Sequence, residues 1–168
     1  RLLDAADVAL ALPQPGPHDY KYSRGVVGVA AGSRRFPGAA LLCTGAARRG
    51  GSGMTALLAR DPTATAMVVG RFPDVVTTAA VEADPRIGAW VAGPGLGDGS
   101  AERDVVLGVL ATAGPVLLDA DALRLLAEEP AFERHFTPLA RRASDLVGYD
   151  LLAWGRDERR VESRRGPK

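Results

Sequence analysis

A chain of 168 residues, 46% hydrophobic and 24% charged, is long enough to bury one core and reads as a single soluble globular domain. Its formal net charge of +1 gives no reason to expect nucleic acid as a partner. No apolar run approaches the roughly 18 residues that a membrane span needs, so no membrane association is expected either. Residues 1–12 form a short amphipathic stretch interrupted by Asp4 and Asp7, not an apolar leader. The start at Arg1 suggests a piece of something longer. Cys43 is the single cysteine, which excludes an internal disulfide, fits a reducing compartment and makes a cytoplasmic location the expectation. It lies in an apolar helical stretch, where a small buried hydrophobe is expected. His18 and His135 have no clustered partners, so no metal site is expected among the side chains. Abundant Ala and Gly, with Arg far outnumbering Lys, point to a GC-rich gene more than to a function.

Residues 12–17, Leu-Pro-Gln-Pro-Gly-Pro, form a connector, because each proline removes a donor and restrains the residue before it. Residues 25–31 are a nearly unbroken apolar run ending at Gly32-Ser33, as expected of a strand covered on both faces. Pro37 suits a first helical position, and a helix is expected to continue over 39–49 until Gly50, Gly51 and Gly53 end it. Residues 54–59, 66–69 and 75–80 read as short strands. A stronger strand at 89–92 runs directly into Gly93-Pro94-Gly95-Leu96-Gly97. Ser100 is the expected N-cap of a helix over 101–111, with Glu102 favourable near its positive end. A strand at 115–118 leads to Asp119, and a helix over 121–128 stops near Pro130. The alternation defines an α/β fold: three layers, a parallel sheet with helices on both faces. From residue 139 the texture turns Arg-rich, with 146–154 its one apolar portion, and the last dozen residues are expected to be weakly ordered.

Ligands of open parallel sheets bind beyond the carboxyl ends of the strands. Three features fall at such ends: Gly32-Ser33, the turn from Gly93 to Gly97, and Asp119 with Asp121. Together they predict one binding cleft. Glycines in the turn let a ligand approach the main chain, and free N–H groups there suit phosphate, although a tight turn alone would account for the glycines equally well. Asp119 and Asp121 suit a ligand hydroxyl, a hydrated magnesium ion or the cap of the next helix. His18, Tyr20, Lys21, Tyr22 and Arg24 precede the first strand, either as a solvated arm or as the lining of a phosphate-rich site.

In order, these segments resemble one family. His18-Asp19-Tyr20-Lys21-Tyr22-Ser23-Arg24-Gly25, then a strand and Ala31-Gly32-Ser33, resemble its opening His-Lys-Tyr-x-Arg-Gly, strand, Ala-Gly-Ser. Phe36-Pro37-Gly38-Ala39-Ala40, Gly50-Gly51-Ser52-Gly53-Met54, the Gly-Pro-Gly-Leu-Gly turn and Asp119-Ala120-Asp121-Ala122-Leu123 follow in the family's order. Thr137-Pro138 stands where the family begins Thr-Pro-His-x-Gly-Glu. The chain thus resembles the ADP/ATP-dependent NAD(P)H-hydrate dehydratases, of ribokinase-like fold, over about 12–138.

The resemblance implies repair of hydrated NADH or NADPH coupled to ADP or ATP hydrolysis, with magnesium. By carry-over, Ala39, Gly95, Gly97, Asp119 and Asp121 contact the hydrated dinucleotide, while the phosphate-binding residues are unassigned. Residues 1–138 form the first part of the dehydratase domain and 139–168 a divergent tail. Leu139-Ala140-Arg141-Arg142 replaces His-x-Gly-Glu, and no Gly-Thr-Gly-Asp, which carries the family's catalytic aspartate, occurs. No catalytic residue is therefore assigned, and the chain alone is expected to be inactive. A frameshift or natural divergence would account for the tail. An incomplete sheet also leaves an edge that invites homo-oligomerisation. The alternatives are a non-catalytic nucleotide-binding relic and a vitamin or sugar kinase of the same superfold.

Overall fold

The computed structural model describes residues 4–12 and 14–127. The sequence expectations for Glu128 onward, including Thr137-Pro138 and the tail, lie outside the described residues. The first helix, α1 (Ala5–Ala11), is closed by a reciprocal capping box in which Asp4 and Asp7 each accept from the other's backbone N–H.

The strands are β1 (Val26–Ala30), β2 (Met54–Leu58), β3 (Val76–Thr78), β4 (Ile87–Ala92) and β5 (Val116–Leu118). All neighbours pair in parallel, in the order β3-β2-β1-β4-β5. Between them run α2 (Pro37–Arg49), α3 (Pro62–Arg71) and α4 (Ser100–Leu110), and α5 (Asp121–Ala127) follows β5. From β1 the chain steps one way to β2 and β3, then returns and steps the other way through β4 to β5. Right-handed crossovers therefore place α2 and α3 on one face and α4 on the other. This is the three-layer α/β arrangement expected from the sequence.

On the α2–α3 face, Val29 and Leu57 pack with Ala40, Ala64, Val68 and Val75. Leu57 and Val68 are among the fully buried side chains, each worth roughly 1.5–3 kcal/mol on burial. Trp90, only 2% exposed, occupies the space above its register partner Gly28. A methyl at Gly28 would lie 2.5 Å from the indole, so β1 and β4 pack together only with glycine there.

The structure revises two sequence expectations. Residues 66–69 are not a strand but the middle of α3. Asp61 caps that helix by accepting from the Ala64 N–H at 2.9 Å, and Pro62 takes the first helical position. Of its residues, Ala64 and Val68 are buried whereas Met67 and Val69 are exposed, which is helical spacing. In α4, Gly99 occupies the cap position without a side-chain hydrogen bond, and Ser100 is the first helical residue.

Candidate functional site

The sheet reverses its direction of growth between β1 and β4. The loops after these strands leave toward opposite faces, which opens a crevice at their carboxyl ends. The segments after β1, β4 and β5 meet there through the main chain. The Gly32 N–H donates to the Pro94 carbonyl at 2.9 Å, Gly93 to Ala30 at 3.0 Å, and Asp119 to Ala92 at 3.1 Å. The single rim expected from the sequence is therefore present.

Two glycines are required by this junction. Gly93 has φ +124°, and a methyl on it would run into the Asp119 carbonyl oxygen and stand 2.7 Å from the Ala122 Cβ. Gly95 has φ +62°, and a methyl there would lie 2.7 Å from the Ala39 Cβ and 2.8 Å from the Phe36 Cβ. Thus Ala39 and Gly95, singled out separately in the sequence, pack directly against each other, with Phe36 closing the same side of the turn. Gly97 donates its N–H to the Asp121 carboxylate at 2.9 Å. Asp121 also accepts from Arg124 at 3.0 Å, and Arg124 reaches Asp98 at 3.5 Å. Asp121 is thus neither idle nor capping its own helix; it ties α5 to the glycine turn. Asp119 is exposed beside Gly93.

Several rim residues carried no assignment in the sequence. Arg60, just past β2, meets Glu102 of α4 at 3.4 Å, bridging over the end of β1. A cation immediately after a strand's carboxyl end was the available signal. Phe36 is 48% exposed, with the Arg35 guanidinium 5.1 Å from its ring centre. Cys43 is half-buried, as a free thiol. Burial, and secondarily the Asp119 charge, push its thiol pKa upward. Among the described residues no group of three His, Cys, Asp or Glu side chains gathers to hold a metal, and Asp121 is already committed to Gly97 and Arg124.

The basic, aromatic segment before β1 lies elsewhere. Arg24 donates to the Gly51 carbonyl at 2.9 Å, and Arg86 to the Tyr22 hydroxyl at 3.1 Å. Both contacts are at the amino ends of β2 and β4, opposite the glycine turn, so His18, Tyr20, Lys21, Tyr22 and Arg24 do not line the rim. Arg24 and Tyr22 instead brace the strand starts. A cleft of about 470 Å³ near that end is lined by Arg24, Val27, Ala47, Ser52, Trp90 and Leu117, among others. Its polar groups are already engaged: Arg24 with Gly51, and Ser52 with the Ala47 carbonyl at 3.0 Å.

A glycine turn and two aspartates stand at the switch point of a parallel sheet, the place where open α/β sheets bind their ligands. Solved structures share the fold: a ribokinase-like superfamily protein of Enterococcus faecalis matches with a TM-score of 0.66 at 21% identity, over 75% of this chain and 47% of that one. Residues 27–153 match the NAD(P)H-hydrate dehydratase family, and the chain belongs to it. The bifunctional NAD(P)H-hydrate repair enzyme Nnr of Mycobacterium tuberculosis is 47% identical over 127 residues, covering 76% of this chain and 26% of that protein. This chain therefore spans about a quarter of that relative's length. The ADP-dependent (S)-NAD(P)H-hydrate dehydratase of Neisseria meningitidis is 35% identical over 132 residues, covering 76% of this chain and 43% of that enzyme. The ADP/ATP-dependent NAD(P)H-hydrate dehydratase of Bacillus subtilis, co-crystallised with ATP and Mg2+, matches with a TM-score of 0.59 at 28% identity, over 70% of this chain and 45% of that one.

Proposed function

We propose that this chain supplies the dinucleotide-gripping part of an ADP/ATP-dependent NAD(P)H-hydrate dehydratase, in which loss of water from hydrated NADH or NADPH is coupled to hydrolysis of ADP or ATP. One observation carries the reading: the segments after β1, β4 and β5 are joined by main-chain hydrogen bonds at one rim, at the carboxyl ends of the strands.

Ala39, Gly95 and Gly97 form part of the wall that the hydrated dinucleotide contacts. Gly97 and Asp121 hold the turn's shape, and Asp119 faces the ligand from the end of β5. Magnesium and the ADP or ATP phosphates belong to the activity in this reading, but the described residues assign them no ligands. Residues 1–138 form the dehydratase portion, 139–168 a divergent addition, and the working compartment is the cytoplasm.

The test is incubation of the 168-residue chain with hydrated NADH, magnesium and ADP or ATP, following reduced-nicotinamide absorbance and, separately, binding by calorimetry. Binding without turnover is expected, because the chain contains no Gly-Thr-Gly-Asp. Recovery of NADH by this chain alone would refute the assignment of the catalytic aspartate to that motif. Absence of binding would refute the dinucleotide site.

A further inference from the structure

The cations of the rim are not equivalent. Arg60 is paired with Glu102, and Arg124 with Asp98 and Asp121. Arg34 and Arg35 are exposed, and no carboxylate among the described residues pairs with either. They follow Gly32-Ser33 directly and lead into Phe36, whose ring is half-exposed, carries the Arg35 guanidinium at 5.1 Å and stands beside Gly95. Between Asp19 and Asp61 the sequence holds no acidic residue at all. The β1 side of the crevice is therefore cationic and aromatic, and its acidic groups belong to the β4 and β5 side.

We infer that Arg34 and Arg35, with Phe36, select a 2′-phosphorylated adenosine, so that the site prefers the NADPH-type hydrate to the NADH-type. The inference rests on the dinucleotide reading and names the form of its substrate. In Rossmann-type sites a carboxylate meets a free ribose 2′-hydroxyl and an arginine accommodates a 2′-phosphate, and the same charge logic applies here. A phosphate monoester near −2 charge is matched by two adjacent guanidinium groups, and the Phe36 ring offers adenine a flat apolar surface. The same cations would also attract a 5′-polyphosphate, so the test separates the two sources.

The full chain is titrated calorimetrically with adenosine 2′,5′-bisphosphate, adenosine 5′-monophosphate, ADP, and the hydrates of NADPH and NADH. Expected is a preference of about tenfold or more for the 2′-phosphorylated member of each pair. In the double variant Arg34→Gln/Arg35→Gln that ratio falls to near one, while 5′-monophosphate binding changes less than about twofold. Phe36→Leu weakens both members equally. Both arginines are exposed, and an unchanged thermal melt verifies that the variants fold. A wild-type ratio near one, or a ratio untouched by the double variant, overturns the inference. So does a loss of ADP binding that matches the loss of 2′,5′-bisphosphate binding, since the pair would then serve a 5′-phosphate chain. Binding of hydrated NADH without preference for hydrated NADPH defeats only the selectivity; failure of both hydrates to bind defeats the dinucleotide reading with it.

Discussion

Replacing Gly93 by alanine tests the junction on which the site depends. The new methyl would be forced into the Asp119 carbonyl and held 2.9 Å from the Ala122 nitrogen. Both are main-chain groups and cannot swing aside. Holding alanine at φ +124° costs about 1–3 kcal/mol, and prising β5 from β4 to make room adds about 1–3 kcal/mol. The sum, about 2–6 kcal/mol, is a large share of the 5–15 kcal/mol typical of a domain. With a urea slope of about 1–3 kcal/mol per molar, the midpoint should fall by about 1 M or more. Gly38→Ala is the control: it sits in α2 with ordinary φ and nothing within 4 Å of the added methyl, so it should be neutral or stabilising by up to about 1 kcal/mol. Gly95→Ala should fall between them, because its obstacles, the Cβ atoms of Ala39 and Phe36 at 2.7 and 2.8 Å, stand farther off than the Asp119 carbonyl oxygen does from a methyl on Gly93. Urea melts followed by far-ultraviolet circular dichroism decide the order. A Gly93→Ala midpoint equal to wild type, or one no worse than that of Gly38→Ala, would refute the reasoning.

Other perturbations address single contacts. Asp121→Ala should cost about 1–3 kcal/mol by leaving the part-buried Gly97 N–H without its acceptor, whereas Asp121→Asn keeps an oxygen for it and should cost clearly less; chemical denaturation of the two variants side by side measures this. The Arg86 guanidinium, gripping both oxygens of Asp84 at 2.8 and 2.7 Å, holds that carboxyl below its usual range. A lowered folded-state value contributes stability that is complete above about pH 4 and vanishes as pH falls through that value. Asp84→Asn should therefore melt below wild type at pH 7 and converge with it in acid; a gap independent of pH would contradict this. Burial and Asp119 raise the Cys43 pKa, so at pH 8 its reaction with a disulfide reagent should be slower than that of an unhindered free thiol. Asp119→Asn should speed it, and an unchanged rate would remove Asp119 as a cause.

Sequence and structure agree where one residue pattern admits one conformation. The run through Val26 to Ala30, the proline-led start of α2 and the strand entering the glycine turn were legible because apolar continuity and punctuation coincide there. The apolar Ala66-Met67-Val68-Val69 was not, because four residues are too few to separate a strand from one turn of helix. The Asp61-Pro62 start carried the missing information. At the site, the carboxyl-end rule brought three distant segments to one rim, because it depends only on the sheet being parallel. What Asp121 does there was illegible, since it depends on how α5 is rotated toward a turn 24 positions away. For the same reason the basic segment before β1 looked equally plausible at either end of the sheet until Arg24 and Tyr22 were seen bonded to the strand starts.

The rim bonds are continuous with the sheet rather than added to it. Gly93 to Ala30 and Asp119 to Ala92 extend the same main-chain ladders that pair β1 with β4 and β4 with β5. A ligand lying on this backbone is therefore gripped by a surface whose shape is set by strand register, with little side-chain freedom left to lose on binding. That division explains why glycines dominate the sequence pattern of the turn while the side chains proposed to discriminate, Arg34, Arg35 and Phe36, stand one loop away. In the proposed reading, register fixes where a dinucleotide can lie, and the β1 loop is free to vary in which form of it is accepted.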